Sequence, residues 1–192
     1  YNGSTWTEVN NILAAKSGVK TAHAGTSTAG LFYGGGPATA SNQSWDGTSW
    51  TEENDMNTAK SNQARFGTQT AALTGGGDSP GGRLNQTETW NGTSWTEVNN
   101  LTTARASFVG AGSTTAGIAY GGDTPGDTAK TESWDGTSWT EVGDLPTAIQ
   151  ANAGGGASGS ASALSTGGNP GYTNATNEWT EPIYTIKTVT VS

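Results

Sequence analysis

The chain holds few residues of the types that perform chemistry. His23 is the only histidine among 192 residues, and there is no cysteine. Zinc sites are commonly built from several His and Cys ligands, and a Ser-His-Asp set would have to use His23. The residues around it are the small residues of an ordinary strand, so a structural or solvated His23 is favoured. The sequence therefore predicts no metal site, no cofactor and no nucleophilic catalysis.

Carboxylates recur at one position of a repeated unit, at Glu8, Glu52, Glu97 and Glu141. A pair of carboxylates could support glycoside hydrolysis. However, each of these glutamates follows a Trp-Thr pair at nearly equal intervals, which is typical of an exposed position in a repeat. We predict that they are solvated and that the protein is not an enzyme.

The repeated unit is the main organising feature of the chain. Residues 45–52, 90–97 and 134–141 share the pattern Trp-(Asp/Asn)-Gly-Thr-Ser-Trp-Thr-Glu, and residues 1–8 form a looser copy. The second Trp falls at positions 6, 50, 95 and 139, with spacings of 44, 45 and 44. A fixed period of this size indicates a repeat architecture, in which each unit buries its apolar face against its neighbours.

Each repeat is predicted to be a four-stranded β-meander. In one copy, residues 106–112, 115–120, 129–134 and 138–142 have the composition of short strands. The Asp-Gly between the last two strands is the signal of a two-residue hairpin turn, in which both central residues favour positive φ. The second strand ends at a glycine doublet, and the doublets are Gly34-Gly35, Gly75-Gly76, Gly121-Gly122 and Gly167-Gly168.

These residues resemble the kelch repeat of β-propellers, and the resemblance covers residues 1–179. It rests on a basic residue before the first strand, the glycine doublet, an aromatic late in the third strand and a Trp in the fourth. The third-strand aromatics are Trp45, Trp90, Trp134 and Trp179, and the basic position holds Lys16, Lys60, Arg105 and, departing from the pattern, Ile149. The repeats are also similar in style to kelch-like proteins predicted in marine bacteriophage genomes. Kelch propellers include enzymes, adaptors and structural parts.

The resemblance implies that both Trp rows pack between blades, rather than forming exposed platforms that stack on sugars. The basic residues are expected to bond to carbonyls of their own or the next blade, in preference to forming an anion-binding ring.

The strand count predicts an all-β fold, a four-bladed β-propeller over residues 1–179. The chain begins at the end of a third strand, so residues 4–9 would supply the fourth strand of the last blade and close the ring. Closure would remove exposed sheet edges. The alternatives are a fragment of a six- or seven-bladed ring, or two copies that form an eight-bladed one. Residues 180–192 fall outside the repeat.

Composition limits the partners. The net charge of −8 argues against nucleic acid, which is bound by basic surfaces. No apolar run is long enough to span a bilayer, so membrane insertion is not expected. Residues 183–191 are rich in β-branched residues and are predicted to lie across the propeller edge, or to tether it to other structural proteins or copies of itself by strand addition.

The loops between the second and third strands differ in every repeat, and function on rigid scaffolds concentrates in loops. The candidate binding residues on these loops are Asp78, Arg83, Asp123, Asp127 and Tyr172. We expect a non-enzymatic structural or binding propeller at a virion or extracellular surface, as a phage capsid decoration, a tail or fibre component, or a cell-surface protein. The alternative is a lectin-like module that uses these residues to bind host surface glycans. Loops that vary without any binding role would produce the same pattern.

Overall fold

A computed structural model of the chain describes residues 4–17, 24–156, 162–171 and 173–181. The secondary structure of these residues is all β, as predicted, and they contain no helix that could cross a membrane. The strands are β1 (Ala24–Gly25), β2 (Gly30–Tyr33), β3 (Asn42–Trp45), β4 (Trp50–Glu52), β5 (Ala64–Gly67), β6 (Ala72–Ser79), β7 (Gly82–Trp90), β8 (Trp95–Val98), β9 (Val109–Gly112), β10 (Gly117–Tyr120), β11 (Thr131–Trp134), β12 (Trp139–Glu141), β13 (Ala153–Gly156), β14 (Ser162–Thr166) and β15 (Thr176–Thr180).

The strands form consecutive antiparallel meanders. The first three sheets have four strands each (β1–β4, β5–β8 and β9–β12), and the described part of the fourth has three (β13–β15). The first strands of all four sheets line one common cavity of about 180 Å³. The sheets are therefore arranged around a shared centre in a propeller-like manner.

Aromatic residues form the core between sheets. The last residue of each third strand pairs with the first residue of the fourth, as in Trp90 with Trp95 and Trp134 with Trp139. The ring of Trp95 also packs on Tyr33 of the preceding sheet, with centroids 4.8 Å apart. Full burial of a Trp removes roughly 150–250 Å² of surface from water, so these rings compensate for the low aliphatic content. The prediction that the Trp rows are core residues is confirmed for these four.

Backbone hydrogen bonds from the glycine doublets join each sheet to the next. Gly121 and Gly122 have φ of 70° and 110°, values that side-chain-bearing residues rarely adopt. The Gly122 amide donates to the carbonyl of Ile149, at the start of the next sheet, at 2.7 Å. The same bond joins Gly35 to Lys60 at 3.1 Å and Gly77 to Arg105 at 2.8 Å.

The second doublet lies one residue later than the sequence indicated. The left-handed pair is Gly76-Gly77, not Gly75-Gly76, and β6 continues through it to Ser79 with an irregular register between Gly75 and Gly77. The strand continues because the β6–β7 hairpin is longer than its counterparts. Gly75, Gly76 and Gly77 are consecutive, and the prediction took the first two as the doublet, which placed it one residue too early.

The turn between the third and fourth strands also differs from the prediction. Four residues, 46–49, separate the paired Trp45 and Trp50, where the Asp-Gly signal predicted two, and of Asp46 and Gly47 only Gly47 has positive φ. The turn is instead closed by the Asp46 side chain, whose Oδ1 accepts the amides of Thr48 and Ser49 at 2.7 Å. These hydrogen bonds lower the pKa of the Asp46 carboxyl. Asn91 plays the same part in the second repeat, at 2.9 Å to both amides.

The predicted closing strand is not formed in this structure. Residues 4–9 lie in no strand, and Trp6 is 87% exposed. Residues 10–17 instead contact the first sheet. The Asn10 side chain donates to the Thr48 carbonyl at 2.7 Å, and Ser17 forms an isolated antiparallel β-bridge with Gly36. The tail strand predicted over 183–191 lies outside the described residues, as does His23.

We predict that Gly122→Ala destabilises the fold by about 1–3 kcal/mol, the usual range for backbone strain at positive φ. A Cβ at this position would lie 2.8 Å from the Ala106 carbonyl oxygen and 2.8 Å from the Phe108 Cβ. The measurement is the free energy of unfolding in urea. Gly126→Ala is the matched control, since its Cβ would meet no atom within 4 Å. Equal stability of the two variants would contradict this account of the doublet.

Candidate functional site

The candidate residues begin on the β6–β7 hairpin. Asp78 and Arg83 face each other as a cross-strand pair near its end. Arg83 Nη1 lies 2.7 Å from Asp78 Oδ1. The other Asp78 oxygen accepts a hydrogen bond from Asn62 Nδ2 at 3.0 Å, so this carboxylate is held from two sides.

Arg83 also reaches the third sheet. Its Nη2 is hydrogen-bonded to the Asp123 carboxylate, and its Nε donates to the Asp123 backbone carbonyl at 3.0 Å. A guanidinium that uses three nitrogens against two partners has a fixed orientation. Asp78, Arg83 and Asp123, here called the loop cluster, therefore join two neighbouring sheets at their variable loops.

Asp127 lies beside the loop cluster. Its backbone bridges that of Asp123, and its side chain is half-buried. Its Oδ1 atom is buried and has no hydrogen-bond partner among the described residues. Tyr172, the remaining candidate, lies outside the described residues. Of the five residues predicted from sequence, the structure thus brings four to one region.

The chemistry available to this region is that of a fixed acidic surface. The carboxylates of Asp78 and Asp123 contact one guanidinium whose Nε, Nη1 and Nη2 atoms are already engaged, and Asp127 adds a third carboxyl group beside them. Carboxylate oxygens accept hydrogen bonds, so the surface suits cationic or hydroxyl-bearing groups. In the described ranges, no three His, Cys, Asp or Glu side chains are grouped so that they could hold a metal ion.

Two buried ion pairs were not found from the sequence. Lys60 Nζ lies 3.0 Å from Glu88 Oε1, and Arg105 Nη2 lies 3.0 Å from Glu132 Oε1, with all four side chains essentially inaccessible. Burial lowers the pKa values of Lys60 and Arg105, an effect that the carboxylates oppose. Arg105 also donates to the Lys130 carbonyl at 2.6 Å, which agrees with the expected bonding to carbonyls.

The repeats did contain a signal for these pairs. A glutamate stands two residues before the third-strand Trp only in the second and third repeats, where Lys60 and Arg105 are paired. In the last repeat the corresponding residues are Ile149 and Asn177, so both partners are absent together. The four recurring glutamates, Glu8, Glu52, Glu97 and Glu141, are exposed, as expected.

A cavity of about 260 Å³ lies between the third and fourth sheets. Tyr120 and Leu145 of the third repeat and Trp179 of the fourth line it, together with Pro146. Burial raises the pKa of Tyr120 to about 12. The comparable space between the first two sheets is occupied by Trp95, in a buried cluster with Tyr33.

No protein-family model matches the chain, and no curated protein sequence is significantly similar to it.

We predict that Arg83→Met lowers stability by no more than about 1 kcal/mol, because its ion pairs are partly exposed to water. The same change should accelerate amide hydrogen exchange in residues 77–83 and 121–127, because it releases one sheet from the next. Lys130→Met is the matched control, since Lys130 pairs with Glu141 in an exposed position away from the cluster. Unchanged exchange in both segments would show that Arg83 does not join them.

Proposed function

We propose that the chain closes into a four-bladed β-propeller, with residues 4–9 as the fourth strand of the last sheet. We further propose that this ring is a non-enzymatic structural and binding scaffold at the surface of a virion or a cell, on which the loop cluster contacts a partner. The ring and the contact surface have separate support.

The first support for closure is the location of the exposed hydrophobic side chains. Within the described ranges, the large hydrophobic side chains that are exposed are Trp6, Val9, Leu13 and Leu164. Three of these belong to the N-terminal segment and one to β14 of the last sheet. Exposed apolar groups on both of these segments favour burial.

The cavity beside β15 has the surroundings of a missing fourth-strand Trp. Trp95 packs against Tyr33, the last residue of β2, and against Trp90, the last residue of β7, with centroids 4.8 and 5.6 Å apart. Tyr120 ends β10 in the same way, and Trp179 is the third-strand aromatic of the last sheet. Trp6 is the remaining Trp at the fourth-strand position of the repeat.

Hydrogen bonds between repeats point to the same closure. Four residues after a fourth-strand Trp, Asn10, Asn54 and Asn99 donate their side-chain amides to a turn carbonyl of the next sheet at 2.7, 2.8 and 2.9 Å. The corresponding residue after Trp139 is Gly143. In a four-bladed ring the last sheet has no such turn, because its third and fourth strands come from opposite ends of the chain. A donor at position 143 would therefore have no acceptor.

We expect Trp6→Ala to lower the free energy of unfolding by about 3–5 kcal/mol, as for truncation of a buried Trp. Trp95→Ala, which removes a Trp with 6% exposure, is the reference for that loss. The chain should also be monomeric by light scattering. If Trp6→Ala changes the free energy of unfolding by less than about 0.5 kcal/mol, Trp6 behaves as an exposed residue and the closed ring is contradicted. A stable dimer would favour an eight-bladed assembly.

The single observation that carries the binding role is the engagement of Arg83 by acceptors from two sheets. A surface held in one conformation loses little entropy on binding, which is how rigid loops gain affinity. The surplus of carboxylates around Arg83 favours a partner with cationic or hydroxyl-bearing groups. The location at a virion or cell surface follows from the resemblance of the repeats.

A labelled full chain should bind a subset of cationic peptides or glycans on an array without turning any of them over. Binding should weaken in Asp127→Asn, which removes a charge beside the loop cluster, and in Arg83→Met, which removes the side chain that fixes the cluster. Thr70→Ala, an exposed residue at the opposite end of the sheets, should bind as the wild type does. Turnover of any arrayed substrate would overturn the non-enzymatic scaffold, and equal binding by all variants would exclude this surface.

A further inference from the structure

Arg65 is a buried cation that has no counter-ion within the described part of the chain. Its side chain is 4% exposed, and its Nε and Nη2 atoms are buried without a hydrogen-bond partner among the described residues. All sixteen acidic side chains lie within the described ranges, and none of the ion pairs found there includes Arg65. The other deeply buried cations, Lys60 and Arg105, each have a carboxylate at 3.0 Å.

A buried charge without a partner is strongly unfavourable, so this arrangement calls for a compensating group. The aromatic ring of Tyr33 lies 5.9 Å from Arg65 Cζ and offers only the weak attraction of a π-system. Glu88, on the same cross-strand row two strands away, is occupied by Lys60 and by the amide of Asn57. Burial lowers the pKa of Arg65 to about 10, which still leaves it charged at neutral pH.

Other unpartnered polar atoms surround Arg65 on this face of the second sheet. Thr74 is its cross-strand neighbour, and Gln63 precedes it by two residues in the chain. The Thr74 hydroxyl and the Gln63 amide oxygen are also buried without a hydrogen-bond partner in the described residues. Buried polar atoms are rarely left unpaired in proteins, and a group of them indicates a bound water or ligand.

Arg65 borders the central cavity of about 180 Å³, which is lined by the first strands of all four sheets. The remaining lining residues are Ala, Gly and Phe, so Arg65 is the only charged side chain among the described residues that line it. The cavity thus combines room for a small molecule with one unbalanced positive charge.

We propose that the central cavity binds a small carboxylate, held by Arg65 with the Thr74 hydroxyl as a further donor. Nε and Nη2 form one edge of the guanidinium, and their two parallel N–H groups match the two oxygens of a carboxylate. The proposal requires that rotation about the terminal torsions of Arg65 turn this buried edge toward the cavity. A water that donates to Gln63 completes the hydrogen bonding. This site requires neither the partner contact nor the closing strand proposed above.

The test is a titration of the full chain with sodium acetate against sodium chloride at constant ionic strength and neutral pH. We expect acetate to raise the Tm saturably and to give a single binding isotherm by calorimetry, whereas chloride does neither. Arg65→Met should abolish the response to acetate. Thr74→Val, which keeps the shape and removes the hydroxyl, should weaken acetate binding about fivefold or more. Arg83→Met, at the loop cluster, is the control and should respond as the wild type does.

Equal effects of acetate and chloride on the wild type would overturn the site, as would an undiminished acetate response in Arg65→Met. If Arg65→Met fails to fold, Arg65→Lys decides the matter, because it keeps the charge and loses the parallel donors. Its acetate affinity should fall about tenfold or more. Wild-type affinity in Arg65→Lys would exclude the paired-donor geometry.

Discussion

The architecture depends on the close approach of neighbouring sheets at the glycine doublets. In the first three sheets, the second glycine of the doublet donates its amide to the carbonyl that opens the next sheet, with Gly77 and Gly122 at 2.8 and 2.7 Å from their acceptors. A Cβ on Gly76 would lie 2.7 Å from the Arg105 carbonyl oxygen. Because only glycine tolerates both the positive φ and the contact, these positions determine how one sheet packs on the next.

Buried ion pairs and Trp rings occupy the space that this approach defines. Arg105 reaches Glu132 and the Lys130 carbonyl from a position fixed by the same backbone that accepts the Gly77 amide. In the fourth repeat both members of the pair are replaced, by Ile149 and Asn177. The junction of the third and fourth sheets also holds the cavity beside Trp179. Local deviations from the repeat therefore coincide in space and mark one junction as different.

The two arginines of the second sheet, Arg83 and Arg65, lie in contrasting surroundings. The guanidinium of Arg83 lies at the surface. Its Nε, Nη1 and Nη2 atoms are all engaged, and it connects two neighbouring sheets. The guanidinium of Arg65 lies in the interior with Nε and Nη2 unpartnered among the described residues. A charge in the interior needs a hydrogen-bonding or ionic partner more than a charge at the surface does, since water cannot solvate it there. For this reason we propose the exposed cluster as a surface for a partner and the interior as a site for a ligand.

The sequence by itself determined the period, the all-β meander, the burial of Trp90, Trp95 and Trp134, and the exposure of the recurring glutamates. These properties are local or repeat in every unit, so they can be read from spacing and residue type. Even there, the Gly76-Gly77 doublet and the side-chain-closed turn at Asp46 required backbone torsions that composition does not specify. Only the tertiary structure decided which charges meet. Arg83 and Asp123 are 40 residues apart and come together because neighbouring sheets place equivalent loops side by side. Among the described residues Arg65 remains unpaired for the same reason, because the sheets that surround it bring carboxylates to Lys60 and Arg105 instead.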